Sequence, residues 1–464
     1  MRSILFVLFS LLLACGGVDR TALTVFTTKD GAPLITSYAS HVPFAIEVKE
    51  SKDPAADAKG GSGKGINVAV LFDGACDGCY RVDSKDERYV VHGGGALGAQ
   101  YGLTHVLEAY GFRFLNPYRP HVPEKLNLIS EAGLNEDHAP EMTLRGIGPH
   151  TLHPIEAYFD IWEPGEENLK GARTILDWVV KNRGNYLQFA GLDNIQRDPA
   201  AAAAWADHVK QILDEAHARG MKIGINVELF GASNLQKAFD LIDTADDPPD
   251  VQAQIESRMK VLLDLPFDVV NLSFGEFSSI TPERFIARVN DVYAACQKLR
   301  PGVELSATVH VGKNTTVTYD GKTFIYYFLV KYVDPHIIPW VHSVMFYNLF
   351  EDTGGAYESN DFNEHKDYLQ ERIRANQRVA YFPESAYWVA FDNCVPSYLP
   401  LYVRSRWLDL HELKKAGTPL AEYVEFSSGW EWGYWQQDVA ALRMGYSLPD
   451  RYEDFAEQFY APYG

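Results

Sequence analysis

A (β/α)8 barrel preceded by a small α/β domain is the fold that this 464-residue sequence predicts. After Pro140, short apolar or β-branched runs recur at 143–147, 185–190, 222–229, 268–274, 303–310, 342–348, 378–383 and 422–428. Amphipathic helical stretches separate most of them, and eight strands alternating with helices make a parallel barrel. Before Pro140, β-rich runs broken by turns occupy a shorter segment with its own helix. A barrel takes about 250 residues, so the length leaves room for this second domain.

The chain opens with MRSILFVLFSLLLACGG, in which one Arg precedes an apolar run from Ile4 to Ala14 and then Cys15. The run is too short to span a bilayer and reads, over residues 1–20, as a signal peptide. Leu12-Leu13-Ala14-Cys15 resembles the bacterial lipobox. That resemblance implies a lipid anchor on Cys15 and a place in the cell envelope, on the periplasmic or outer-membrane face; ordinary cleavage is the alternative.

Residues 21–138 make the first domain. The part from 21 to about 60 is mixed and ends in SKDPAADAKGGSGKG, which reads as a loop. INVAVLF, YRVDS and RYVVHGG read as strands. Ala96, Ala99, Leu103, Val106, Leu107 and Tyr110 then mark one face of a helix that Gly111 stops. Cys76-Asp77-Gly78-Cys79 is a lone CxxC, open to a local disulfide or to two free thiols. A zinc site would need a second close pair, which Cys296 and Cys394 do not supply.

Residues 139–445 make the barrel, and 446–464 start a C-terminal helical segment. Trp205, Val209, Ile212, Leu213 and Ala216 share one face of a helix over Ala204 to Arg219, ended by Gly220. Thr281-Pro282 supplies an N-cap and a proline at the first helical position for a helix that runs to Leu299. The stretch from Val311 to Pro339 is the least regular and reads as an insertion after the fifth strand.

Hydrophobic residues make up 46% and charged residues 22% of the chain, which excludes disorder as the main state. The net charge of −20 argues against nucleic acid and anionic membrane surfaces as partners, because no basic excess exists to displace counterions.

Barrel chemistry sits where strands end and loops begin. Strand one leads to His150 and His153, strand two to Asp193, strand three to Glu228 and strand four to Glu276. Strand five leads to His310, strand six to Tyr347 and Asn348, strand seven to Glu384 and strand eight to Glu431. Cleavage of a glycosidic bond needs two flanking carboxyl groups, one to donate a proton and one to act as nucleophile or base. Glu276 and Glu384 follow strands four and seven, a placement similar to that in many retaining barrel glycosidases. It implies Glu276 as acid/base and Glu384 as nucleophile. Trp388, Trp430, Trp432, Tyr434 and Trp435 lie beside the last strand ends, and flat rings with a polar tip suit the C–H faces of a sugar. The expected substrate-binding set is therefore Asp193, Glu228, His310, Tyr347, Asn348, Trp388, Trp430, Glu431 and Trp432.

RYVVHGGGALGAQYGLTHVLEAYGFRFLNP resembles the strand–helix signature of the N-terminal domain in bacterial α-glucuronidases and β-hexosaminidases, through Tyr101-Gly102, Leu107-Glu108, Gly111, Arg113 and Pro117. Leu144-Arg145-Gly146 resembles their first barrel strand, and DFAEQFYAPYG resembles the close of barrels related to α-glucuronidases. The resemblance implies a glycoside hydrolase acting on glycan or polysaccharide fragments, with no cofactor and no metal. Hexosaminidases carry an Asp-Glu pair after strand four, the Asp orienting the substrate's acetamido group; here the pair reads Gly275-Glu276.

Two rival functions remain open. A glycan-binding lipoprotein would keep the aromatic platform without needing both glutamates. A metal-dependent hydrolase would use His150, His153 and His310 with a carboxylate. Against the second, HxxH on a strand points its rings to opposite faces, since side chains alternate.

Overall fold

The computed structural model describes residues 20–61, 63, 65–149, 156–231, 238–242, 246–275, 280–312, 315–355, 359–384, 400–427 and 435–454. The N-terminal part folds as strands β1 (Leu23–Thr27), β2 (Ile46–Glu50), β3 (Ile66–Leu71), β4 (Tyr80–Lys85), β5 (Arg88–Gly93) and β6 (Asp137–His138). Helices α1 (Ala32–Ser40), α2 (Pro54–Gly60) and α3 (Gly95–Ala109) accompany them. The strands form one sheet in the order β2-β1-β3-β5-β4-β6, parallel as far as β5 and antiparallel at β4 and β6. Cys76 and Cys79 are joined in a disulfide.

The lysine- and glycine-rich patch is not all loop, because Pro54–Gly60 is helical. Asp53 caps it by accepting the Ala56 N–H at 3.0 Å, and Pro54 fixes the first helical φ. Those two start signals sit inside a segment whose composition alone reads as a turn.

The second part begins with β7 (Leu144–Pro149), β8 (Tyr186–Ala190) and β9 (Lys222–Phe230), with β10 (Asp240–Ile242) on the flank of β9. There follow β11 (Val269–Ser273), β12 (Glu304–Val309), the hairpin β13 (Thr316–Tyr319) and β14 (Lys322–Ile325), then β15 (Ile338–Ser343), β16 (Ala380–Pro383) and β17 (Glu422–Ser427). Strands β7, β8, β9, β11, β12, β15, β16 and β17 pair in that circular order, all parallel, and β17 against β7 closes the barrel. Around them run α4 (Glu156–Trp162), α5 (Glu166–Lys181), α6 (Asn194–Arg197), α7 (Pro199–Ala218), α8 (Val251–Leu263) and α9 (Pro282–Leu299). The ring is completed by α10 (Asn363–Arg374), α11 (Pro400–Lys415) and α12 (Trp435–Tyr446).

Two sequence expectations are corrected here. The sixth strand ends at Ser343 and not near 348. The run IIPWVHSVMFY is mostly apolar on both sides of His342-Ser343, so periodicity gives no clear end, but Met345 takes a φ of 53° that no strand accommodates. Tyr347 and Asn348 therefore lie in the following loop, and His342 stands at the strand end. The stretch after strand five is also more than an insertion. Tyr326–Tyr332 forms a 3-10 helix whose Tyr326, Tyr327, Phe328, Leu329 and Val330 are buried, and it occupies the place of the fifth barrel helix.

Inside the barrel an apolar cluster of Leu144, Tyr186, Val269, Ile338, Trp340, Ala380 and Val424 fills the lower part, and Phe382 and Phe426 extend it upward to the level of His342 and Glu384. Tyr186 lies so close to Gly146 that a Cβ there would meet its main-chain oxygen at 2.4 Å. Above this plug, toward the C-terminal ends of the strands, the interior turns polar.

The residues that carry the family resemblance join the two domains. Glu108 on α3 accepts from Arg183 at 2.8 Å and from Arg443 on α12. Arg145, 1% exposed, donates to the Arg183 carbonyl at 2.9 Å and to the Tyr101 hydroxyl at 3.1 Å. Burial alone would raise the Glu108 carboxyl, but the two guanidinium groups outweigh it and hold its pKa at about 2. Glu108→Gln leaves both arginines short of a buried partner and is expected to destabilise the fold by about 3 kcal/mol, read by denaturant unfolding at neutral pH. A loss within about 0.5 kcal/mol would show that the network is dispensable.

Candidate functional site

The polar tier at the barrel mouth is built from single polar residues set into apolar strands. Asn226 on β9 donates to Asn271 Oδ1 at 2.6 Å, and Asn271 on β11 donates to Ser306 Oγ at 2.9 Å. Thr308 on β12 donates to the same Asn271 oxygen at 3.2 Å. Side chains of neighbouring parallel strands meet in register, so polar residues on three adjacent strands, one each from β9 and β11 and two from β12, form a continuous bonded ring segment.

His310, His342 and Glu384 form a second polar group at the strand ends. The His310 and His342 rings stack at 4.6 Å between centroids. His342 is 3% exposed, with Nδ1 at 2.7 Å from the Phe382 carbonyl and Nε2 at 3.4 Å from Glu384 Oε1. Glu384 itself is 2% exposed and accepts the Met345 N–H on Oε2. The left-handed turn at Met345 is what aims that N–H at the carboxyl.

The wall behind this site is held from outside the barrel. Arg406 on α11 donates to Ser343 Oγ at 3.1 Å, to the Glu384 carbonyl at 3.4 Å and to the Tyr347 carbonyl. Asp409 accepts the Leu349 N–H at 2.7 Å and the Tyr381 hydroxyl at 2.5 Å, and burial pushes its pKa up to about 6 despite Arg406. The ends of strands six and seven are thus tied to one helix.

The loop after strand four is anchored by the 3-10 helix. Tyr327 donates its hydroxyl to the Gly275 carbonyl at 2.6 Å, fixing the backbone one residue before Glu276. Gly275 has a φ of 68°, a left-handed conformation that glycine takes without cost.

The remaining expected residues fall into three groups. Glu228 is half-buried at the end of β9, its N–H donated to the Phe239 carbonyl at 2.9 Å. Asp193 pairs with Arg197 at 2.5 Å, and Asn348 accepts the Phe350 and Glu351 N–H groups at 2.9 and 2.8 Å, so both organise their own loops. Tyr347 is half-buried against Phe346. Cys15, His150, His153, Glu276, Trp388, Trp430, Glu431, Trp432 and Tyr434 lie outside the described residues. Among the described residues no group of three or more His, Cys, Asp or Glu side chains is placed to hold a metal ion, and no helix is long and apolar enough to cross a membrane. Sequence reasoning missed His342, Asn226, Asn271 and Thr308; polar residues at alternate positions within otherwise apolar strands were the available signal.

No protein-family model matches the chain, and no curated protein matches it in sequence. Its fold is that of known glycosidases. A β-hexosaminidase variant of Streptomyces plicatus bound to its GlcNAc product shares it with a TM-score of 0.60 at 12% identity, over 96% of this chain and 93% of that one. The GH20 β-N-acetylhexosaminidase of Streptomyces coelicolor gives the same four values, 0.60, 12%, 96% and 93%. A GH138 enzyme targeting pectin rhamnogalacturonan II matches with a TM-score of 0.55 at 12% identity over 93% of this chain, which spans 64% of that enzyme's length. These likenesses establish a (β/α)8 barrel with an N-terminal domain.

His365, 2% exposed, gives its Nε2 to the His310 carbonyl at 3.0 Å, and burial lowers its pKa to about 4. Between pH 6.5 and about 4 the unfolded chain binds a proton there that the folded chain refuses, so stability is fully present above 6.5 and falls as pH drops through this window. His365→Gln should make the pH dependence of urea unfolding shallower by up to about 1.4 kcal/mol per pH unit in that window. An unchanged slope would mean that His365 is charged in the folded protein.

Proposed function

We propose that this chain is a glycoside hydrolase acting on glycan or polysaccharide fragments, with Glu276 and Glu384 as its two working carboxyls. The observation that carries the reading is the Glu384 carboxyl, set among polar side chains at the C-terminal mouth of a barrel shared with glycosidases. The anchored Gly275, one residue before Glu276 on the strand-four loop, supports the second carboxyl. Asn226, Asn271, Thr308 and His310 give the interior the donors and acceptors that sugar hydroxyls need.

The reading includes a cell-envelope location with a lipid anchor on Cys15, supported by the Leu12-Leu13-Ala14-Cys15 sequence. A surface-tethered enzyme of net charge −20 suits neutral or mixed glycans diffusing past an anionic cell surface better than it suits nucleic acid.

The test is a screen of the purified protein against chromogenic glycosides, uronides and N-acetylhexosaminides included, followed by Glu276→Gln. The variant is expected to lose about 10²–10⁴-fold in turnover while keeping glycan binding. Glycan binding with no turnover in the wild type would identify a glycan-binding lipoprotein in place of an enzyme.

A further inference from the structure

Ser37, Ser40 and His41 stand at steps of three and four at the end of α1, and Lys170, Arg173 and Thr174 repeat that spacing on α5. Each triplet therefore shares one helix face. The two faces line a cleft of about 530 Å³ between the N-terminal domain and the outside of the barrel, with Glu215 of α7 beside them. Small-molecule sites have volumes of about 300–1,000 Å³. None of these residues belongs to a barrel strand or to the loop after one. Glu215 is on the last turn of α7, which leads into the N-terminal end of β9, so the cleft lies away from the mouth.

The charges around the cleft are matched except for two. Arg219 holds Glu215 at 3.1 Å and Asp177 at 3.0 Å, and Lys181 takes the other Asp177 oxygen, so two cations meet two carboxylates. Ser37 adds its hydroxyl to the same Glu215 oxygen at 2.9 Å. Arg173 has no such partner. Among the described residues its guanidinium makes no hydrogen bond and no ion pair, although its Nε is buried. Lys170 meets Glu167 only at 3.8 Å with both side chains exposed, a contact worth little. Two cations thus face one cleft in a chain whose net charge is −20. A guanidinium without a carboxylate of its own is a fork-shaped donor for an oxyanion from outside the chain.

The neutral groups narrow the kind of anion. Ser40 gives its hydroxyl proton to the Ser37 carbonyl at 2.7 Å, and Thr174 gives its own to the Lys170 carbonyl at 3.0 Å. Their oxygens are left to the cleft as acceptors. An inorganic oxoanion is nearly all acceptor and leaves them unanswered. A sugar acid brings a carboxylate for the cations and ring hydroxyls for the acceptors. We propose that this cleft binds a carboxylate-bearing saccharide, a uronic acid unit of a glycan, with its carboxylate on Arg173 and Lys170 and its hydroxyls on Ser40 and Thr174. The site is separate from the barrel mouth and holds an acidic glycan against the outer wall whether or not the mouth is catalytic.

Isothermal titration calorimetry of the full-length protein with trigalacturonate, maltotriose and inorganic phosphate tests the proposal. Trigalacturonate should bind, and Arg173→Gln should weaken it about tenfold or more. Arg173→Lys should fall between, since lysine keeps the charge and loses the fork. Maltotriose should bind all three proteins alike or not at all. An affinity for trigalacturonate unchanged in Arg173→Gln, or no binding by the wild type, overturns the proposal. Phosphate binding that depends on Arg173 and matches trigalacturonate in strength also overturns it, by making the cleft a site for small oxoanions. Any turnover of chromogenic glycosides should be the same in Arg173→Gln as in the wild type. The readout is binding, so a wild type without glycosidase activity removes the enzyme reading and leaves this test intact.

Discussion

Closure of the eight-stranded parallel sheet is the constraint on which the rest depends. A closed sheet has no edge, and its inward side chains must fill the interior or line a cavity. This chain fills the lower half with Tyr186, Ile338, Trp340 and other apolar side chains. Tyr186 fits only because Gly146 leaves it room. The plug cuts off the bottom of the barrel and leaves the upper half to polar groups, so every polar residue that follows in register is delivered to the same end. Asn226, Asn271 and Thr308 bond to one another from three adjacent strands, and His342 and Glu384 stand side by side at the ends of two more.

The outer shell fixes what the barrel presents. Arg406 and Asp409 tie the ends of strands six and seven to α11, and Tyr327 ties the strand-four loop to the 3-10 helix. The Arg406 and Asp409 contacts are buried and charge-assisted, which makes the position of the loops after strands six and seven a property of the core. The N-terminal domain is held by similar means. Glu108, Arg145, Arg183 and Arg443 form a network across the domain boundary, so the residues that resemble a known N-terminal signature serve as its attachment to the barrel.

The barrel was legible in the sequence because its strands are short apolar runs separated by helices with clear caps, as at Thr281-Pro282 and Gly220. Reading failed where that contrast was absent. The sixth strand lies inside a mostly apolar run that continues past its end, and the left-handed Met345 that ends it has no sequence signature, so the pattern points to Tyr347 and Asn348 and not to His342. The α2 helix was hidden by lysines and glycines around the Asp53-Pro54 start. The strand-end carboxylates stood out by residue type, and Glu384 does lie at the mouth of the barrel. Its partner was not legible, because a histidine inside an apolar strand has the same local pattern as any buried histidine. What distinguishes His342 is the combination of a backbone carbonyl on one nitrogen and a carboxyl on the other, which only the folded chain reveals.

The account's central claim is that Glu276 and Glu384 work on one glycosidic bond, and a crystal structure of the protein soaked with an oligosaccharide tests it most directly. The account predicts a sugar ring seated between the two carboxyls, which stand about 5–5.5 Å apart if configuration is retained and about 6.5–9.5 Å apart if it is inverted. A sugar bound elsewhere, with the Glu276 carboxyl turned away from the barrel axis, would contradict it.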